Sequence, residues 1–463
     1  MSRPPVSRRS PVEAVLLALL AMVPALFFRG TAEKFEVPKV ALLVTGALAL
    51  AAVWLVAELA ALAREGPGRW ITGALSRLGA LPRQDPLGGA ILIYVASAAA
   101  STVASPNPRL SVWGAPESTA GLRTAVATAA VYFAARSRPG TPRTFDRIVL
   151  AAALGAAAAA GYALVQLAGL DPLTWGRLAV FGGAFRVFGT LGHPNFLGAY
   201  LAMMLPLSID RAMRARSTTV RVAWLALVAG SLVALAATLS RGAWLALVAA
   251  AVALLALRPL AAARDEKGKA LRPSPTLGRA LGVAAAVAAV AGAFLVARPG
   301  LGRSLATRVR EIASIRAPST QSRLQIWGAG LRMAADHPVL GVGLDAFAVV
   351  FPAYRTADYW RTEWGGTPTK AHNEALHIVA TQGAVGGIAA LLVILLAARE
   401  AWRTLRRGPT ATRRLAVPAA AALLAFAVQD LASFTVVSLG VLAAALAGWL
   451  AATGVPKGSN DAR

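Results

Sequence analysis

Arg241, Arg323 and His372 are the side chains of this sequence with the clearest capacity for chemistry. Arg241 lies in Thr238-Leu239-Ser240-Arg241-Gly242-Ala243-Trp244, between two apolar runs. A planar guanidinium there can give two parallel hydrogen bonds to a phosphate, or it can simply extend to lipid headgroups. Arg323 follows Ser322 in Ser322-Arg323-Leu324-Gln325, a capping-box pattern that predicts a helix from Ser322 to about Ala335. Such a start would set Arg323 beside exposed backbone N–H groups, where anions are favoured; a solvated surface arginine is the other reading. His372, in Ala371-His372-Asn373-Glu374, stands at a helix entrance. Its imidazole titrates near neutrality and suits a general base for a hydroxyl, or it bonds only to nearby backbone.

Other candidates surround these three. His377 lies five residues beyond His372, on a different helix face, while Asn373 and His377 share one. That spacing is not the His-Glu-x-x-His pattern, so no bound metal is expected. His337, in Asp336-His337-Pro338, reads as a turn residue, and so does His193 before Pro194. Glu363, Glu374 and Asp345 are alternative carboxylate bases that the sequence does not rank, and Arg186 is a further ligand for an anion. Asp430, at a span end, reads as a loop residue.

The elements that must position these groups are membrane helices. The chain has 463 residues, 57% of them hydrophobic and 15% charged, which places it in the polytopic membrane class. At about 20 apolar residues per crossing, twelve spans are predicted: 12–28, 38–63, 86–105, 120–136, 147–168, 195–209, 220–239, 243–257, 280–297, 374–398, 413–430 and 434–452. The first follows Arg3, Arg8 and Arg9 but lacks a clear cleavage site, so it reads as a retained helix. Three units result: spans one to nine in 1–297, a long polar segment in 298–373, and spans ten to twelve in 374–463.

Charge sets the orientation. The net charge is +26. With the N-terminus inside, 29 of the 47 basic residues fall on the cytoplasmic side and 18 outside, ten of those within 298–370. A segment of that length does not count in the positive-inside rule, so both termini are expected inside and the long segment outside. Anionic headgroups can neutralise the dispersed positive charge, which removes nucleic acid as a partner. There is no cysteine, hence no disulfide and no thiolate chemistry.

The long segment has its own pattern. Residues 301–316 alternate Arg303, Arg308, Arg310 and Arg316 with apolar residues, as in an amphipathic helix on headgroups. Next comes the predicted helix in which Arg323, Ile326, Trp327 and Gly330 share a face. The Gly341-Val342-Gly343 turn and an aromatic stretch (Phe347, Phe351, Tyr354, Tyr359, Trp360, Trp364) then lead to His372. A second outer loop, 169–194, carries Trp175, Phe181, Phe185 and Phe188 and runs into Gly189-Thr190-Leu191-Gly192-His193-Pro194-Asn195.

Together these motifs resemble the O-antigen ligase and O-antigen polymerase family of bacterial envelope glycosyltransferases. The matching elements are Ser240–Trp244, Ser322–Trp327, His337-Pro338 with Gly341–Gly343, and Ala371–Leu376, with Gly189–Asn195 resembling a further family segment. The likeness covers roughly 180–400 by motif and the whole chain by topology. It implies an all-α fold of about twelve transmembrane helices, of the membrane glycosyltransferase type, with a large helical periplasmic loop between helices nine and ten. It also implies an undecaprenyl-diphosphate-linked glycan donor, inverting transfer in the bacterial inner membrane with the active site facing the periplasm, and no metal or other cofactor. The family's two essential arginines and histidine map to Arg241, Arg323 and His372.

Chemistry supports the same reading. Outside the cytoplasmic membrane there is no nucleotide sugar, so an activated donor must arrive lipid-anchored, and fixed cations must meet the charge on its departing diphosphate. A groove between spans would hold the lipid tail and supply proximity. Lipid A core, another lipid-linked repeat or a protein hydroxyl would each serve as acceptor. The long outer loop and the lack of an appended domain lean toward the ligase over a polymerase or a protein O-oligosaccharyltransferase. A transporter is the contrasting class, but repeated halves and a central cytoplasmic linker are not evident, and a flippase should lack the His–Arg set.

Overall fold

A computed structural model of the protein describes residues 10–173, 175, 180–181, 184–261, 318–362 and 366–454. The predicted ninth span, the amphipathic stretch 301–316, Glu363 and Trp364 lie outside these residues. Each of the other predicted spans coincides with a helix: α1 (Pro11–Met22), α2 (Glu36–Glu65), α4 (Pro86–Val103), α6 (Leu122–Arg136), α7 (Pro142–Ala168), α8 (Pro194–Arg214), α9 (Thr218–Ala237), α10 (Arg241–Ala261), α14 (Glu374–Arg407), α15 (Thr410–Asp430) and α16 (Val437–Ala452). Between them lie α3 (Pro67–Gln84), α5 (Pro108–Trp113), α11 (Pro318–Asp336), α12 (Phe347–Tyr354) and α13 (Ala357–Thr362). A two-residue hairpin pairs Val180 and Phe181 with Phe185 and Ala184. Seven of the described helices are long and apolar enough to cross a membrane, and the chain is a polytopic all-α membrane protein.

Small residues let these helices approach closely. Ala152, Ala156 and Ala159 of α7 are fully buried. Gly155 beside them has no room for a side chain, because Pro24 and the Ala21 carbonyl occupy that space. On the other side of the bundle α10 packs on α15, α6 on α16 and α4 on α14. The first span stops at Met22 rather than running to residue 28, because Pro24 follows within a turn.

The bundle has two unlike ends. One collects ion pairs: Arg147 with Glu13 at 2.6 Å, Arg211 and Arg214 with Asp146 at 2.8 and 2.9 Å, and Arg136 with Asp85 at 3.4 Å. These are the turns that the charge count placed on the cytoplasmic side. The same end carries α3. It is a helix with no buried residue, its Ile71, Leu75 and Leu78 on an exposed apolar stripe and Arg69 and Arg83 on the reverse, the layout of a helix lying in a lipid interface. Trp70 and Arg77 tie it to Glu58 of α2 at 2.8 and 3.0 Å.

At the other end, the extramembrane helices dock on a break in α14. Gly383 has φ +64°, and the helix is interrupted there. The freed backbone is taken up by the turn after α11. Val342 and Gly343 donate to the carbonyls of Ala380 and Thr381 at 3.0 and 2.9 Å, and Ala384 donates back to the Pro338 carbonyl at 2.8 Å. Ser101 of α4 gives the Thr381 carbonyl a second bond at 2.6 Å. Irregular backbone at such depth is tolerated only when its polar groups are satisfied in this way.

A Cβ at residue 383 would collide with the Val339 carbonyl and adopt a left-handed backbone. Gly383→Ala should therefore destabilise the protein by about 1–3 kcal/mol, read as a lowered thermal unfolding midpoint in detergent. An unchanged midpoint would contradict the docking account.

Candidate functional site

Arg241 is the first residue of α10, immediately after a tight junction with α9. Leu239 takes φ +51° there, Thr238 Oγ1 accepts from the Ser240 N–H at 3.3 Å, and Ser240 Oγ from the Ala243 N–H at 3.4 Å. The junction is braced by Arg186, which is buried. Its Nε donates to the Thr238 carbonyl at 2.6 Å and its Nη2 to Asn195 Oδ1 at 3.0 Å. Arg186 thus ties the Gly189–Asn195 segment to the turn that presents Arg241. Lys39, fully buried in α2, fixes that segment from beneath through the Thr190 carbonyl at 3.0 Å.

His372 is held from both sides. Trp327 Nε1 of α11 donates to the Ala371 carbonyl at 3.0 Å. Asn373 caps α14 by accepting from the Leu376 N–H at 3.0 Å, and its Nδ2 donates to the Leu431 carbonyl at 3.1 Å. Between these anchors His372 takes φ +54°, a conformation that costs a non-glycine residue on the order of 1 kcal/mol or more and persists only where its surroundings impose it. Its ring packs on Phe434 at 5.4 Å, and Phe434 meets Phe196 at 5.4 Å and the Lys370 ammonium at 4.5 Å.

Arg323 does not occupy a helix start. Helix α11 already runs from Pro318, so Ser322 lies buried inside the helix and the capping box does not form. The anion-binding amides expected beside Arg323 are therefore used within the helix. The shared face of Ile326, Trp327 and Gly330 does pack on α14, with Gly330 against Leu376.

The three segments bring their cations together. Arg241 acts on Arg323, which burial and that neighbour hold below the usual arginine range. Burial, then Arg323, then Lys370, push His372 down to about 4. Burial, then Arg186, His372 and Arg323, push His193 down to about 3. Among the described residues no carboxylate forms an ion pair with Arg323. Cations gathered against their own repulsion, with neutral imidazoles between them, make a ready site for a polyanion.

The remaining candidates divide. Glu374 Oε2 accepts from the Thr435 N–H at 3.2 Å, close to His372 in the chain and within range of Lys370. His377 is buried against Phe347, ring centroids 5.5 Å apart, beneath the docked α12. Asn373 serves as a helix cap. His337 is exposed at the end of α11 and makes no described contact with the cation cluster. Asp345 clamps a different loop, accepting from the Ala115 and Ala120 N–H groups at 2.6 and 3.3 Å. Asp430 is not a loop residue: it ends α15, is buried, and accepts from Thr435 Oγ1. The sequence reading missed Lys39 and Lys370 and dismissed His193. Its signal for Lys39 was a lone lysine just inside an apolar span, where ionisable groups are costly.

Replacing Arg186 by Leu should unpair the buried Thr238 carbonyl and lower stability by about 1–3 kcal/mol. The measurement is the shift in thermal midpoint of the purified variant, and no shift would remove Arg186 from its bracing role.

Residues 225–391 match the family model of the O-antigen ligases, Wzy_C. The matched stretch contains Arg241, Arg323 and His372, and it supports membership of the O-antigen ligase family. No curated protein matches the chain.

Proposed function

As a member of the O-antigen ligase family, this protein is, we propose, a membrane glycosyltransferase of the ligase type. It moves a glycan from an undecaprenyl-diphosphate carrier to a sugar hydroxyl of a lipid A core acceptor. The observation that carries this reading is the convergence of Arg241, Arg323 and His372 from three separate segments at one end of the bundle. We assign that end, with the segment 298–373, to the periplasmic face of a bacterial inner membrane, and both termini to the cytoplasm. Supporting this orientation, the arginine-rich turns lie at the opposite end, as the positive-inside rule requires.

In this mechanism Arg241 and Arg323 grip the donor diphosphate, with Arg186 and His193 behind them. The acceptor oxygen bonds to the anomeric carbon from the side opposite the carrier, the bond from that carbon to the diphosphate oxygen breaks, and the sugar inverts. The lipid diphosphate leaves with the electron pair, stabilised by guanidiniums that need no reorganisation. The hydroxyl proton passes to His372, with Glu374 beside it.

His372 is a weak base in the free protein because it is buried and, beyond that, because Arg323 and Lys370 act on it. A bound diphosphate offsets those cations, so proton affinity at His372 rises when the donor is in place. The donor therefore helps to create the base that its own reaction needs.

Arg241→Ala and His372→Ala should each lose transfer by about a hundredfold or more, measured with purified protein, lipid-linked glycan and core acceptor. Arg241→Lys should lose most of it too, since an ammonium cannot make the paired contact. Wild-type rates in both alanine variants, at normal abundance, would refute the assignment. Identifying the covalent product in the same assay separates a ligase from a polymerase or a protein-glycosylating enzyme.

A pH profile tests the base. His372 must be neutral to accept a proton, so kcat/KM for donor should hold from pH 8 to about 5 and fall only as His372 protonates near 4. The kcat limb, reporting the donor-bound state, should fall at higher pH. The reverse order of the two limbs would exclude His372 as the base.

A further inference from the structure

A separate crevice of about 290 Å³ opens beside the candidate site, between the connection leading to α2 and the one leading to α6. It is lined by Thr31, Glu33, Val37, Ala115, Thr119 and Arg123, and neither the cation cluster nor helix packing accounts for it. Its walls are fixed. The Glu33 carboxylate accepts from the N–H groups of Phe35 and Val37 at 3.0 Å each, as well as from that of Glu36. Asp345 holds Ala115, and Thr119 takes φ +55°. The Arg123 guanidinium lies 5.3 Å from the Trp113 ring, and its Nε is buried with no hydrogen-bond partner. A buried donor left this way in a rigid cleft points to a ligand that completes it.

The position of the crevice narrows the ligand. Arg323 acts on His372, Lys370 on both His372 and Glu36, and Glu33 on Glu36. The crevice therefore ends a run of charged groups whose other end is the guanidinium pair. One cation, one carboxylate and two threonine hydroxyls form a lining suited to a neutral polyol rather than to an anion. The volume is near the low end of ligand pockets, roughly 300 Å³, enough for one sugar unit and not a chain. Trp113, 56% exposed, offers a flat apolar face beside it for a pyranose ring.

We propose that this crevice is a subsite for one neutral pyranose of the acceptor glycan, with Arg123 donating to its hydroxyls and Glu33 accepting from them. The inference rests on the glycosyltransferase reading, but its test needs no turnover.

Saturation-transfer NMR of the full chain in lipid nanodiscs, with the methyl glycosides of glucose, galactose and N-acetylglucosamine as probes, measures binding directly. At least one glycoside should show transfer to the wild type, reduced about fivefold or more by Arg123→Gln and retained in Arg323→Gln. Ala32→Leu, from an exposed position on the rim, should reduce it too and decides the matter if Arg123→Gln does not fold. No transfer to any probe in the wild type, or undiminished transfer in the folded variants, overturns the subsite. In a working transfer assay, Arg123→Gln should raise the acceptor KM about tenfold, well beyond its effect on kcat or on donor KM. A change confined to kcat would also overturn it.

Discussion

The backbone hydrogen bonds between the Pro338–Gly343 turn and the broken stretch of α14 are the contact on which the rest depends. They convert a lapse in a membrane helix into a socket for the extramembrane segment. Through that socket α11 is laid along the start of α14, so Trp327 reaches the Ala371 carbonyl and Arg323 comes within range of His372. Backbone-to-backbone bonding carries little sequence information, yet it fixes direction and register. Two chemically useful side chains, far apart in the chain, are brought to one place by amides that do no chemistry.

Much of the fold could be read from residue order because a bilayer imposes simple demands. Apolar length located the spans from 38–63 to 243–257 and from 374–398 to 434–452, and arginine placement separated the two ends that the ion pairs at Glu13, Asp85 and Asp146 now mark. Motifs singled out Arg241, Arg323 and His372 as candidates. What escaped was long-range or conformational. The capping box misjudged α11 because the helix already runs from Pro318. The break at Gly383 has no local signature, since glycine is common in membrane helices and only a partner turn makes this one a kink. Asp430 looked like a loop carboxylate because its burial depends on Thr435 and on a neighbouring helix start.

The cation cluster also shows how strain and burial work together. Leu239 and His372, each in a left-handed conformation, flank the two arginines at either side of the site. Neither conformation would survive in an isolated peptide. Arg186 and Asn195 brace one and Trp327 and Asn373 the other, so the surrounding packing sustains them. Such bracing holds the charged segments in place, and it accounts for residues such as Asn373 and Thr238 in the hydrogen-bond network around the candidate site.

Helix α3 has a mechanical consequence. Seated flat in one leaflet by its exposed apolar stripe and riveted to α2 through Glu58, this rod would make the bundle a gauge of bilayer thickness. Thicker lipid would draw the far rim, and the guanidiniums on it, down among the headgroups; thinner lipid would lift them clear. The depth of that far rim would thus be referenced to the leaflet on the other side.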